Sequence, residues 1–459
     1  MKKSRFLTLF LSIAMVFSYV VYSAGAVESE LVSSMSVEAK AALLVDMDTD
    51  YIMYEQNAYE KVYPASITKV MTAALVLDAV QEGTLSMDEL ITAGDTAWQG
   101  LDSTSSNQNI QVGEQMSVKD LLYCLMVASA NEAANILAVA VAGSIENFVG
   151  MMNAKAAALG CTGTNFVNPD GMPDDNHYTT AYDLYLIAKY AMQNETFRTI
   201  VSTKEYYVEP TNMTEKQRHF FNTNGLLSTM KYSNYYYEYC IGIKTGSTDA
   251  AGYCLLSAAE KDGQRLICVM MGCENPKDEA GNVQRLQFSE SSRLLDWGFN
   301  NFSYQTILDT TTPVAEVPVT LSTECDYVSV IVDGTLEAQL PNDITSEDFQ
   351  WSTDLPESVE APIHAGDKLG TLTVTLNGET YGTVDLVAVS NVDRSQFLAI
   401  KQQISNVLHS WQFVLIVTLI VVLILALLIR AKVVAIRRGR YGGRRTSGKR
   451  GGGNYRGKR

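Results

Sequence analysis

Apolar positions along this chain follow two rhythms, and the switch between them divides it. Helix-period patterns run over 66–81, 118–128, 131–142, 145–159 and 180–193. Before them, residues 41–45 and 52–54 form short strand-like runs, and after them strands return at 238–245, 251–259 and 264–272, followed by a last helix at 286–299. Strands at both ends with helices between predict one sheet completed from both sides of a helical insertion, an α+β unit over about 37–305 with a cleft between its two parts. Ser117-Val118-Lys119-Asp120 caps the second helical pattern.

From about 306 to 392 helical periodicity disappears. Residues 314–319, 328–332, 369–376 and 383–389 alternate, and Asn377-Gly378 is a strong hairpin turn, so this part reads as a small all-β domain. Residues 393–410 then place Phe397, Ile400, Ile404 and Leu408 at helical spacing, an amphipathic stalk. Residues 411–429 carry no charge and are dominated by Val, Ile and Leu; about 19 such residues suffice for a transmembrane helix. At the other end, Lys2, Lys3 and Arg5 precede an apolar stretch over 6–21 and the small residues Ala24-Gly25-Ala26, which reads as a signal peptide over 1–26.

Charge orients this arrangement. The tail over 430–459 contains twelve Lys and Arg and no acid, which marks it as cytoplasmic and leaves the preceding domains extracytoplasmic. Three of the 35 Lys and Arg lie in the signal segment, so the exported part holds 20 of them against all 51 Asp and Glu, a balance of −31. Such acidity argues against nucleic acid as a partner, while the span and basic tail point to membrane lipid.

Three short motifs stand in order in the exported part. In Ser66-Ile67-Thr68-Lys69, opening a buried helix, residues three apart are neighbours, so Lys69 lies one turn from the Ser66 hydroxyl. A serine needs a base to become a nucleophile, and the flanking Val70, Met71, Ala73 and Ala74 would lower the pKa of Lys69 by burial. Ser129-Ala130-Asn131 breaks the next helical run: Ser129 can relay a proton to a leaving amine, and the Asn131 amide can hold a substrate peptide group. In Lys244-Thr245-Gly246-Ser247, at the end of a strand, Lys244 and Thr245 suit a terminal carboxylate. Gly246 permits close backbone approach, and the Ser247 N–H can complete an oxyanion hole with that of Ser66.

Other candidates lack supporting spacing. Asp46, Asp48 and Asp50 begin like a calcium loop, but Tyr51 and Asn57 stand where Gly and Glu are needed, so a hairpin turn is expected. His177 is expected to order the loop before the helix capped by Thr180 and Asp183. No metal or other cofactor is implied. The seven cysteines show no disulfide spacing; Cys124, Cys254 and Cys268 sit in apolar runs, as small core residues do. Unpaired cysteines in an exported chain suggest a weakly oxidising surface.

The combination Ser-x-x-Lys, Ser-x-Asn and Lys-Thr-Gly resembles that of the low-molecular-mass penicillin-binding proteins that are D-alanyl-D-alanine carboxypeptidases. The stretch Tyr63-Pro64-Ala65-Ser66-Ile67-Thr68-Lys69 is very close to the family's first motif. Asn168-Pro169-Asp170-Gly171, His177-Tyr178-Thr179-Thr180 and Asn222-Thr223-Asn224 are also similar to it. The resemblance implies a β-lactamase/transpeptidase-like catalytic fold, peptidoglycan stem peptides as substrate, an acyl-enzyme on Ser66 and acylation by β-lactam antibiotics. Many members attach to the membrane by an amphipathic helix alone, so the full span here departs from the pattern. A β-lactamase is disfavoured by Ala130 in place of Asp and by the absence of a clear loop glutamate over 160–180. A D,D-endopeptidase acting on cross-links and a non-catalytic wall-binding module remain as alternatives.

Overall fold

The computed structural model describes residues 29–311 and 313–441, so the signal-peptide segment and the end of the basic tail lie outside the described residues. After a short helix α1 (Glu30–Ser33), strand β1 (Ala41–Asp46) is buried at every position and β2 (Ile52–Gln56) returns antiparallel beside it. Between them the Asp46 carboxylate accepts the N–H groups of Asp48 and Thr49, each at 3.0 Å, and Asp50 has φ 61°. The acidic triplet is therefore a hairpin turn, as expected.

A 3-10 turn, Ala65–Thr68, leads into α2 (Lys69–Gln81). The expected helix over 66–81 is thus α-helical only from Lys69, with Ser66 in the tighter turn ahead of it. Ten of the thirteen residues of α2, Lys69 among them, are buried, which makes it the central helix of the insertion. A small ladder of β3 (Leu90–Thr92) and β4 (Gln115–Ser117) precedes α3 (Val118–Met126), whose N-cap Ser117 accepts the Asp120 N–H at 3.0 Å. Helices α4 (Asn131–Ala142), α5 (Ile145–Ala158), α6 (Ala181–Met192) and α7 (Glu195–Ser202) follow. The hairpin β5 (Glu205–Val208) and β6 (Arg218–Phe221), like α7 and the β3–β4 ladder, lies outside the expected elements.

Three long strands, β7 (Cys240–Thr248), β8 (Gly252–Lys261) and β9 (Gln264–Cys273), complete an antiparallel sheet of order β2-β1-β9-β8-β7. Strand side chains alternate between faces. Leu43, Val45, Ile243, Leu256, Ile267 and Val269 face the helical insertion, whereas Leu44, Leu255, Leu266 and Met270 pack with Phe288, Leu294 and Leu295 of α8 (Leu286–Asn301). The sheet is thus covered on both faces and completed from both sides of the insertion. Strand β7, carrying the third motif, is one of its two edges.

The remaining strands are β10 (Phe302–Leu308), β11 (Ala315–Thr320), β12 (Tyr327–Val332), β13 (Leu336–Pro341), β14 (Gln350–Asp354), β15 (Val359–Glu360), β16 (Lys368–Leu376) and β17 (Glu379–Ala388). Contacts divide the chain into two units. The first holds the chain up to Asp309 with Gly334–Ser352 and Thr373–Val384; the second holds Thr310–Asp333, Thr353–Leu372 and the residues from Asp385 on. In the first unit β10 pairs with β13, and Asn377 and Gly378 form the turn between β16 and β17 with φ 52° and 87°, the conformation an Asn-Gly hairpin adopts. In the second, β12 pairs antiparallel with β11 and with the end of β17, and β15 joins β11 in parallel. The second unit ends in α9 (Gln396–His409), which exposes Phe397, Ile400, Ile404 and Leu408, and α10 (Trp411–Tyr441). Within Trp411–Arg437 of α10 an 18-residue stretch has a mean hydropathy of 3.2, and this part of the helix is long and apolar enough to cross a membrane. The helix runs past the expected end at 429 because Lys and Arg sustain a helix.

Candidate active site

Burial of α2 places Lys69 where its amine has no access to water. Its Nζ lies 2.9 Å from Ser66 Oγ, 2.6 Å from Asn131 Oδ1 and 2.6 Å from the main-chain carbonyl of Asp170. Burial lowers its pKa to about 8, against the opposing fields of Asp170 and Glu132. A neutral amine has two N–H groups and one lone pair. Asn131 Oδ1 and the Asp170 carbonyl can only accept, so they take both N–H groups. The lone pair is then left for the O–H of Ser66.

The loop that brings Asp170 to Lys69 is fastened to α2 and to the chain just before it. The Thr72 hydroxyl donates to the Pro169 carbonyl at 2.6 Å, and Val62 exchanges two main-chain hydrogen bonds with Thr179. His177 is buried. The Val167 N–H donates to its Nδ1 at 3.2 Å, which makes Nε2 the protonated nitrogen, 2.8 Å from Thr68 Oγ1. Burial lowers its pKa to about 4, so it orders the loop as a neutral ring, as expected. The Asn168 side chain bridges the Gly171 N–H and the Met172 carbonyl. The buried Asp170 carboxyl accepts the Met172 N–H at 2.7 Å, and desolvation raises its pKa.

Ser129 sits between α3 and α4 with φ 64°, a left-handed conformation uncommon for a side-chain-bearing residue. The two residues after it are pinned: the Ala130 N–H donates to the Cys124 carbonyl, and the Asn131 N–H donates to the Ser106 carbonyl, each at 2.9 Å. Because Asn131 Oδ1 accepts from Lys69, its Nδ2 is the end left to donate elsewhere.

On the sheet side, β7 runs against the Ala65–Thr68 turn. A Cβ at Gly246 would stand 2.9 Å from the Pro64 carbonyl oxygen and 3.2 Å from the Ser66 nitrogen, which is why a glycine stands there. Thr245 Oγ1 donates to Thr223 Oγ1 at 2.6 Å. Lys244 is buried and donates to the Thr245 carbonyl at 3.0 Å. Burial, with the like charges of Lys69 and Lys231, puts its pKa well below the ordinary value. Ser247 is exposed at the end of the motif.

The structure thus joins Ser66, Lys69 and Asn131 in direct contact, sets Ser129 beside Asn131, and lays the backbone of Gly246 on that of Ser66. Sequence reasoning missed the Asp170 carbonyl, Thr223 and the buried Glu132. Thr223 had a signal, since it lies in the noted Asn222-Thr223-Asn224 stretch. That stretch spans the cleft: the Thr223 N–H donates to the Val127 carbonyl at 3.2 Å, and Asn224 Nδ2 donates to the Gly242 carbonyl at 3.1 Å. All seven cysteines are free, with Cys124, Cys254 and Cys268 buried as expected.

Residues 28–275 match the family model described as D-alanyl-D-alanine carboxypeptidase, and residues 302–394 match that of the penicillin-binding protein 5 C-terminal domain. The chain is 30% identical over 367 residues to the D-alanyl-D-alanine carboxypeptidase DacF of Bacillus subtilis, covering 80% of this chain and 89% of that one. It is 30% identical over 379 residues to DacC of Escherichia coli, with 80% and 88% covered. Among solved structures, the D-alanyl-D-alanine carboxypeptidase DacD of Francisella tularensis superposes with a TM-score of 0.61 at 25% identity, over 79% of this chain and 95% of that one. Penicillin-binding protein 5 of Haemophilus influenzae gives 0.57 at 27% identity, over 78% and 99%.

Proposed function

Since the chain belongs to the D-alanyl-D-alanine carboxypeptidase family of serine peptidases, we propose that it removes the terminal D-Ala of peptidoglycan stem peptides through an acyl-enzyme on Ser66. The observation that carries this reading is the 2.9 Å contact between Ser66 Oγ and a Lys69 amine whose other two partners are neutral acceptors. Lys69 takes the Ser66 proton as Oγ attacks the penultimate carbonyl. The N–H groups of Ser66 and Ser247 receive the oxyanion, each donor contributing where charge develops. Ser129 passes the proton to the leaving amine, and water then releases the shortened peptide.

Substrate recognition follows from what is left uncommitted around Ser66. The free edge of β7 can pair with an extended peptide, and Asn131 Nδ2 can donate to its carbonyl. Two hydroxyls, Thr223 and Thr245, form a chain that can turn to donate into a terminal carboxylate, and Lys244, with no acidic partner among the described residues, gains its proton when that carboxylate arrives. The apolar α10 anchors the protein in the membrane, with the catalytic unit outside and the basic tail in the cytoplasm.

The test uses the full-length protein in detergent. After exposure to a penicillin, intact-mass measurement and peptide mapping should place one covalent adduct on Ser66 and none on the Ser66→Ala variant. A peptide ending in D-Ala-D-Ala should release D-Ala. An adduct elsewhere rejects the nucleophile, and cleavage of cross-linked dimers without release from the linear peptide identifies an endopeptidase instead.

A further inference from the structure

Asn131, Glu132 and Asn135 are three buried polar residues near the start of α4, a helix otherwise packed through Ala133, Ala134, Ile136 and Leu137. Asn131 serves Lys69, and Asn135 donates to the carbonyls of Ala97 and Gln99 at 3.1 and 3.0 Å. Glu132 has no such evident use. It is fully buried and makes no ion pair among the described residues. Its Oε1 accepts the main-chain N–H groups of Gln108 at 2.6 Å and Ile110 at 3.3 Å, and its Oε2 is buried with no hydrogen-bond partner. Burying a carboxylate without a counter-charge is costly, so its retention needs a physical reason.

The loop that Glu132 holds is the one that braces the second motif. Ser106 accepts the Asn131 N–H through its carbonyl and donates through its hydroxyl to the Ala128 carbonyl at 3.3 Å, so it touches the chain on both sides of Ser129. From the outside, Arg218 of β6 donates to the Gln108 carbonyl at 3.1 Å and pairs with buried Glu114 at 2.7 Å. From the inside, Glu132 alone receives the loop's N–H groups at 108 and 110. An alanine there would leave two N–H groups without their acceptor.

We propose that Glu132 is a positioning residue of this active site: its carboxylate fixes the 106–110 loop on the start of α4, and so the placement of Ser129 and Asn131. The proposal rests on the reading of Ser66 and Lys69 as nucleophile and base. Burial raises the pKa of Glu132, and the N–H groups of Gln108 and Ile110 that it accepts work against that rise.

Two variants test this role. Glu132→Gln keeps an oxygen acceptor and removes the charge; Glu132→Ala removes both. Full-length protein in detergent is followed by amide hydrogen exchange over 106–110 and by the pH profile of penicillin acylation. For Glu132→Gln, exchange at 108 and 110 stays as in the wild type because an oxygen acceptor remains, and acylation is recovered relative to Glu132→Ala. For Glu132→Ala, exchange at 108 and 110 quickens by about tenfold or more, and acylation falls about tenfold or more at every pH. Wild-type protection and rate in Glu132→Ala would remove the positioning role. Loss of protection and rate in Glu132→Gln equal to that in Glu132→Ala would show that the acceptor at 132 does not hold the loop. Should Glu132→Ala not fold, Glu132→Asp, which draws the oxygen back by one methylene, supplies the same exchange comparison. Failure of penicillin to label the wild type at Ser66 would overturn the reading of the site, whereas the exchange comparison decides the loop's attachment without it.

Discussion

Gly171 lies so close to Ala65, the residue before Ser66, that a Cβ on Gly171 would stand 1.9 Å from the Ala65 carbonyl oxygen. Gly171 has φ 90° and Ala65 has φ 47°, so the loop carrying Asp170 and the turn carrying Ser66 meet backbone to backbone. The separation between Asp170 and Lys69 is thereby tied to the absence of a side chain at 171.

Gly171→Ala should therefore be costly. Overpacking contributes roughly 1–3 kcal/mol and the left-handed backbone about 1–2 kcal/mol. Gly83→Ala is the control, because φ there is 75° but nothing lies within 4 Å of the added Cβ. Urea denaturation should find Gly171→Ala clearly less stable than Gly83→Ala, and only the former should acylate slowly. Equal stabilities and wild-type acylation in both would show that the two loops do not approach this closely.

Acylation should depend on pH through Lys69. Its folded pKa of about 8 lies below the ordinary lysine value, so the neutral base accumulates as pH rises. The rate of penicillin acylation is expected to climb through about pH 8 and then level. Lys69→Arg keeps a cation that does not deprotonate, and should lower the rate by ~10²–10⁴ while abolishing the limb. Near-wild-type acylation by the Arg variant would exclude Lys69 as the base.

The hydroxyl pair of Thr245 and Thr223 makes the carboxylate site testable. Thr245→Val should reduce kcat/KM on D-Ala-D-Ala peptides by about one to two decades, corresponding to a charge-assisted bond of roughly 1.5–3 kcal/mol. Thr223→Val should act in the same direction, since it removes the group that orients the Thr245 hydroxyl. Both losses should shrink on substrates with an amidated C-terminus. The same loss on amidated and free substrates would make Thr245 structural and place the carboxylate elsewhere.

Stability should fall on mild acidification through His177. The ring is neutral when folded down to about pH 4, but takes up a proton near 6.5 when unfolded. Between those values the unfolded state binds more protons, so stability decreases as pH falls from about 6.5 toward 4, by at most about 3 kcal/mol for this residue. Replacing it, as in His177→Gln, should flatten that part of the urea-denaturation profile at whatever baseline stability the variant has. A slope unchanged in the variant would locate the acid sensitivity in other groups.

Much of the catalytic unit is legible along the chain because it depends on neighbours in sequence. The 3.6-residue period marks α2 to α6, Ser117 and Thr180 cap their helices through local hydrogen bonds, and Ser66 and Lys69 meet because they are one turn apart. Asn377-Gly378 specifies its own turn by backbone preference alone. What only the tertiary structure decided is the set of contacts between segments distant in sequence. Asn131 and the Asp170 carbonyl reach Lys69 from 62 and 101 residues away, and Thr223 reaches Thr245 from 22. A main-chain carbonyl is the same in every residue and leaves no mark in the sequence, and a buried carboxylate such as Glu132 looks like any helix-start acid until its neighbours are known. The base proposed at Lys69 has its physical basis in the folded core, which removes water from its amine and supplies two acceptors in place of that water.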